Sequence, residues 1–135
     1  MLAYTEQSCY WNELQNILTH YNKQYNFNFK LMRGLSDSIY PKQGLITINL
    51  STDNQRHYKD MKLRHEYNDY IILFKCVLLH EIKHAIDYTV NHEYWEQENE
   101  IIDRFKYHTN KEYHDSLNRE KRADNFANEE IKKWR

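Results

Sequence analysis

From Tyr70 to Val90 the chain reads as one helix, and no other stretch constrains the fold as tightly. Its first half is apolar almost all round (Ile71, Ile72, Leu73, Phe74, Val77, Leu78, Leu79). A helix without a polar face must be covered on every side, so this segment is expected at the centre of the molecule. Asn68 or Asp69 supplies a side-chain cap for its start. The cover must be thin, because only 40% of the 135 residues are hydrophobic even with Tyr counted. That supports a single modest core, and one domain spanning 1–135 is expected. With two Gly and one Pro, long helices are favoured over a turn-rich all-β fold.

The remaining elements follow from periodicity. Trp11, Leu14, Ile17, Leu18 and Tyr21 recur at three- and four-residue steps, the stripe of an amphipathic leading helix. Phe27, Phe29 and Leu31 alternate with polar residues, as in a half-buried strand. Ser38 to Tyr40 and Leu45 to Leu50 read as two further strands, joined by a tight turn at Pro41-Lys42-Gln43-Gly44. Residues 51–65 are charged and read as irregular or as the start of a helix. Asn91 to Asn110 is polar with apolar anchors at Trp95, Ile101, Ile102 and Phe105, which predicts a surface helix. A final helix is expected from near Asp115. The class is therefore α+β with a small three-stranded sheet.

Several functions are disfavoured. A net charge of −1 argues against nucleic acid as the main partner, since phosphate binding needs concentrated Lys and Arg. The basic runs Arg119 to Arg122 and Lys132 to Arg135 are interleaved with or preceded by acids and read as solvated helix faces. Cys9 and Cys76 are too few and too far apart for a disulfide framework, and Cys76 in its apolar run reads as a small buried hydrophobe. Met1 to Asn12 shows neither basic cluster nor apolar stretch, and Ile71 to Leu79 is too short to span a bilayer. A cytoplasmic protein without membrane contact is expected.

His80-Glu81-Ile82-Lys83-His84 carries the chemistry. Four residues apart on a helix, the two imidazoles share a face and reach one ion. Glu81 points about a quarter-turn away, beside that ion, where a carboxylate can take a proton from water. Zinc in such a site lowers the pKa of water to roughly 7. The chain contains its own control: His65-Glu66 and His92-Glu93 are followed by Asp69 and Glu96 where the third position demands His. Solvated or core-satisfied histidines are the competing explanation. It is weakened by the apolar helix that the motif continues, where unpartnered imidazoles are costly to bury.

Catalytic zinc usually has three protein ligands, and Glu120 is the candidate third. Glu120, Ala123, Asp124, Ala127, Ile131 and Trp134 form one helical stripe, and the alanines permit close approach to the first helix. Asp124 can then accept a hydrogen bond from the far nitrogen of a ligand histidine. The competing explanation is a small-residue packing stripe with two surface acids. Asp87, on the ligand face, is an alternative third ligand, an acceptor behind a ligand, or an acid making a local hydrogen bond. Tyr88, His108 and His114 are unranked donors for an oxyanion, and packing suits Tyr88 better.

His80-Glu81-x-x-His84 followed by Glu120-x-x-Ala123-Asp124-x-Phe126-Ala127 resembles the ImmA/IrrE-type metallopeptidases, compact members of the gluzincins. The resemblance covers nearly the whole chain in element order. It implies a zincin-like (minigluzincin) domain with zinc (Zn2+) on His80, His84 and Glu120 and with Glu81 as general base. It also implies that the strand from Leu45 to Leu50 is the edge along which an extended peptide lies. The implied activity is hydrolysis of a peptide bond in a protein substrate, and the implied substrate class is a helix-turn-helix repressor of a phage, mobile element or stress response. The chain departs from the family after Ala127, where Asn128-Glu129-Glu130 replaces an aliphatic run. Two other readings compete with this one: a metallopeptidase with a toxin-like or host-defence target, and a non-catalytic zinc-containing module that binds a partner. The intact Glu81 favours catalysis, because a structural site has no need of a base.

Overall fold

The computed structural model describes residues 4–50 and 70–135. The irregular segment expected at 51–65 and the cap expected at Asn68 or Asp69 lie outside the described residues. Helix α1 (Tyr4–Tyr25) leads into strands β1 (Lys30–Arg33), β2 (Ser38–Tyr40) and β3 (Leu45–Ile48). Helix α2 (Tyr70–Thr89) follows, then α3 (His92–Ile101), α4 (Arg104–Thr109), α5 (Lys111–Ser116) and α6 (Asn118–Glu130), which ends in a 3-10 turn, Ile131–Lys133. The fold is α+β, with six α-helices among the described residues and one mixed sheet. No described helix is long and apolar enough to cross a membrane.

Burial follows the apolar pattern. Leu14, Ile17, Leu18 and Tyr21 of α1 are buried, and every residue of α2 from Leu73 to Asp87 is buried except Lys83. Helix α2 is thus the axis of the molecule, packed against α1, the sheet, α3 and α6. Even Lys75 is buried in that apolar run: its Nζ donates to Trp134 O at 2.8 Å and meets Glu13 at 3.3 Å. Met by a carbonyl and a carboxylate, the charge ties α2 to α1 and to the end of the chain.

The first strand begins three residues later than its alternation predicts. Asn26 takes a left-handed φ of 55° and closes α1. Beyond it, Phe27 N–H donates to Asn22 O, and the Asn22 side chain binds both backbone groups of Phe29, at 3.0 and 3.1 Å. These groups are spent on α1 and unavailable for a ladder. Ser38–Tyr40 matches its expected strand, and the turn is a 3-10 turn in which Gly44, φ 62°, donates to Pro41 O. The third strand stops at Ile48 because Asn49 N–H turns to the Asp37 carboxylate at 2.8 Å.

The sheet order is β1-β3-β2, with β3 parallel to β1 and antiparallel to β2. The strand from Leu45 was expected to be an open edge. Instead β3 is paired on both sides (Leu31 and Ile39 both sit opposite Ile46), and among the described residues the edges are β1 and β2. Ile46 and Ile48 are fully buried against α2, which is why the most apolar strand takes the middle.

The polar segment after α2 also departs from the single surface helix predicted for Asn91 to Asn110. Ile102 is extended, Asp103 caps α4 by accepting from Lys106 N, and Asn110 caps α5 by accepting from Tyr113 N. The last helix accordingly starts at Asn118, not near Asp115.

Candidate metal centre

Helix α2 places His80 and His84 one turn apart, and Glu120 rises from the first turn of α6 to meet both. His80 Nε2 lies 3.0 Å from Glu120 Oε2, and His84 Nε2 lies 3.1 Å from Oε2 and 3.0 Å from Oε1. One ligand atom from each residue lies within 4.8 Å of the others, and all three side chains are buried. Donors about 2 Å from a common ion in tetrahedral geometry sit about 3.3 Å apart, so this donor set fits zinc with a few tenths of an ångström of relaxation. Ala123 and Ala127, both fully buried, allow α6 to lie close on α2 and bring the glutamate within reach.

The two histidines are oriented differently. His80 Nδ1 lies 2.7 Å from Asp124 Oδ1, so the far nitrogen carries the proton and Nε2 faces the centre. His84 Nδ1 is buried and has no hydrogen-bond partner among the described residues. Packing holds that ring instead: it lies edge-on to Trp95, centroids 5.7 Å apart, and to His80 at 4.9 Å.

Charge and burial act in opposition here. Burial alone would depress His80, but Asp124 and Glu120 outweigh it and push the imidazole up to about 10. Burial would raise Glu120, yet His84 and His80 hold its carboxyl far below the usual carboxylate range. A divalent cation entering this gap would therefore have to displace a proton. Glu81, buried beside the histidines, is raised by desolvation, partly offset by His80 and His84. A carboxyl shifted upward and lining a cleft is suited to moving a proton.

These groups line a cleft of about 710 Å3. One wall is β2 with the loop Leu35–Asp37 before it, fastened to β3 by Thr47 Oγ1 to Ser36 O (2.9 Å) and to the residue after β3 by Asn49 Nδ2 to Leu35 O (3.1 Å). The other wall comes from α3, α4 and α5, including Trp95, Tyr107 and His114.

The structure distinguishes the remaining candidates. Asp87 is no ligand: Arg122 binds it through Nη2 at 2.8 Å and Nε at 3.2 Å, with Asn91 at 2.9 Å and Lys83 at 3.3 Å. These contacts keep the Asp87 carboxyl low against its burial and bridge α2 to α6. Tyr88 packs on His92 and Trp95 and does not line the cleft. His108 and His114 do line it, and His114 Nε2 lies 3.4 Å from Glu120 Oε1. His92, from one of the incomplete pairs, sits on the surface with Nδ1 at Tyr88 O, 2.7 Å away.

Sequence reasoning passed over Tyr107, whose hydroxyl donates to Glu120 Oε1 at 3.1 Å. Burial and the neighbouring Glu120 and Glu81 charges raise the phenol well above its ordinary value, so it stays a donor. Asp103 and Asn110, each three residues before a backbone N–H that needs capping, were the signal that the polar segment breaks and folds back there. Arg119 was read as solvated and is in fact 5% exposed. Comparison with protein-family models, curated proteins and solved structures gives no match to this chain.

Proposed function

We propose that this chain is a zinc-dependent metallopeptidase with a zincin-like fold, built as a minigluzincin. The observation that carries the reading is the convergence of His80, His84 and Glu120, from two helices, beside Glu81 in one open cleft. Zinc held by those three residues supplies a Lewis acid that polarises water and the scissile carbonyl. Glu81 takes the proton of the attacking water and returns it to the leaving amine, so no net proton is consumed. Tyr107 and His114 stand beside Glu120 with donors suited to an oxyanion, and Tyr88 is set aside for this role. The peptide lies along β2, whose outer edge has no partner among the described residues and whose side chains line the cleft. The substrate class suggested by the resemblance is a helix-turn-helix repressor, acted on in the cytoplasm.

The test joins metal analysis of the purified protein to a proteomic comparison of cells expressing wild type or Glu81→Gln. Zinc bound by both proteins, with a substrate depleted only by wild type, is expected. Depletion by the variant removes Glu81 from the base role. A protein left intact but co-purifying with both forms points instead to a non-catalytic, zinc-containing interaction module.

A further inference from the structure

Arg119 is a buried cation that the chemistry above does not use. It precedes Glu120 and lines the same cleft. Its guanidinium stacks on Trp95, with Cζ 3.8 Å from the ring centroid, and Trp95 in turn packs edge-on against His84. Arg119 is thus one ring removed from a metal ligand. Its hydrogen bonds are incomplete: Nη2 donates to Trp95 O at 3.0 Å and Asn99 Oδ1 at 2.8 Å, while Nε is buried with no acceptor. Both acceptors are neutral, and no carboxylate among the described residues forms an ion pair with Arg119. Burial lowers its pKa, and the nearby Glu120 and Glu98 charges offset that only in part.

Arg104, at the start of α4, lines the same cleft. Among the described residues the acids of the lining are Glu81, Glu120 and Asp37, the last on the loop of the facing wall. A guanidinium pre-set by a stacked ring, with donors to spare in a cleft, is the arrangement that recognises a carboxylate.

We infer that Arg119 determines specificity by receiving a carboxylate of the peptide, in the part of the cleft bounded by Trp95, Asn99 and Ile102. This rests on the peptidase reading for its substrate, though not for its binding chemistry. The carboxylate comes either from an Asp or Glu side chain next to the scissile bond or from a free C-terminus.

The experiment uses the zinc-loaded full chain and sets of short peptides differing only by Glu or Gln at one position, each with free or amidated C-terminus. Binding is measured with Glu81→Gln and cleavage with wild type. Charge-assisted hydrogen bonding predicts a roughly ten- to hundred-fold preference for the carboxylate form. A preference for Glu in amidated peptides assigns an internal acid, and one that requires the free terminus assigns the chain end. Arg119→Gln removes the preference, while Arg119→Lys keeps part of it. Equal binding and equal cleavage of Glu and Gln peptides, free or amidated, overturn the inference even if cleavage is brisk. A carboxylate preference in binding without any cleavage upholds Arg119 and defeats the peptidase reading. Because the peptide comparison is made in protein with Arg119 intact, misfolding of a variant does not decide it.

Discussion

His80 and His84 face the same centre but are held by different forces, a hydrogen bond to Asp124 in one case and ring packing on Trp95 in the other. Asp124→Ala should therefore lower zinc affinity about 10- to 100-fold, the usual effect of removing a carboxylate behind a ligand histidine. Competition with a chromophoric chelator measures it, and unchanged affinity would show that packing alone orients His80. Glu120→Ala should lose most of its zinc on gel filtration, because Asp87 is held by Arg122, Asn91 and Lys83 and cannot replace it. Zinc retained at the wild-type level would mean that another ligand completes the site. His80, Glu81, His84, Glu120 and Asp124 were all legible in the sequence, since helical spacing alone puts them on two faces. Tyr107, Trp95 and Arg119 were not, because their approach to the centre depends on how three short helices fold back.

Between elements, the contact with the clearest pH signature is Asp87 with Arg122, which joins α2 to α6. Removing one partner of a buried pair typically costs roughly 3–5 kcal/mol. Arg122 keeps 40% exposure and can rehydrate, so Asp87→Asn should cost about 2 kcal/mol by urea unfolding. Asp87 is depressed in the folded state, so its contribution is complete above the unfolded carboxyl pKa of about 3.9. It is lost as pH falls through the lower, folded value. The variant should therefore match wild type most closely at strongly acidic pH, and a stability gap that widened on acidification would contradict the assignment. Helices α1 and α2 and strand β2 were readable from periodicity. The start of β1 was not, because Asn22 captures the Phe29 backbone, and the polar stretch after α2 lacked an apolar period to mark its breaks.

Across the whole molecule, the chain's end is fastened to its beginning. Trp134 Nε1 donates to Tyr21 Oη at 3.1 Å, Tyr21 donates to Glu130 at 2.9 Å, and Lys75 holds the Trp134 carbonyl. Tyr21→Phe leaves Trp134 Nε1 without its acceptor and Glu130 with Lys133 alone, and should cost about 1–3 kcal/mol, with an unchanged m value in urea. Because the candidate metal centre spans α2 and α6, zinc should raise Tm in a concentration-dependent way and a chelator should reverse it. A Tm insensitive to both would mean that the three ligands act as a closed hydrogen-bond network and not as a metal site. What the sequence determined by itself is whatever local spacing encodes: a helix too apolar to face water, two imidazoles one turn apart on it, and a second helix with alanines beside a glutamate. What only the tertiary structure decided is how separate elements meet. It put β3 in the middle of the sheet and β2 at the cleft, engaged Asp87 with Arg122, and brought Tyr107 and Arg119 to the site. Spacing fixes which residues share a face, whereas burial and hydrogen-bond satisfaction across the chain choose which faces meet.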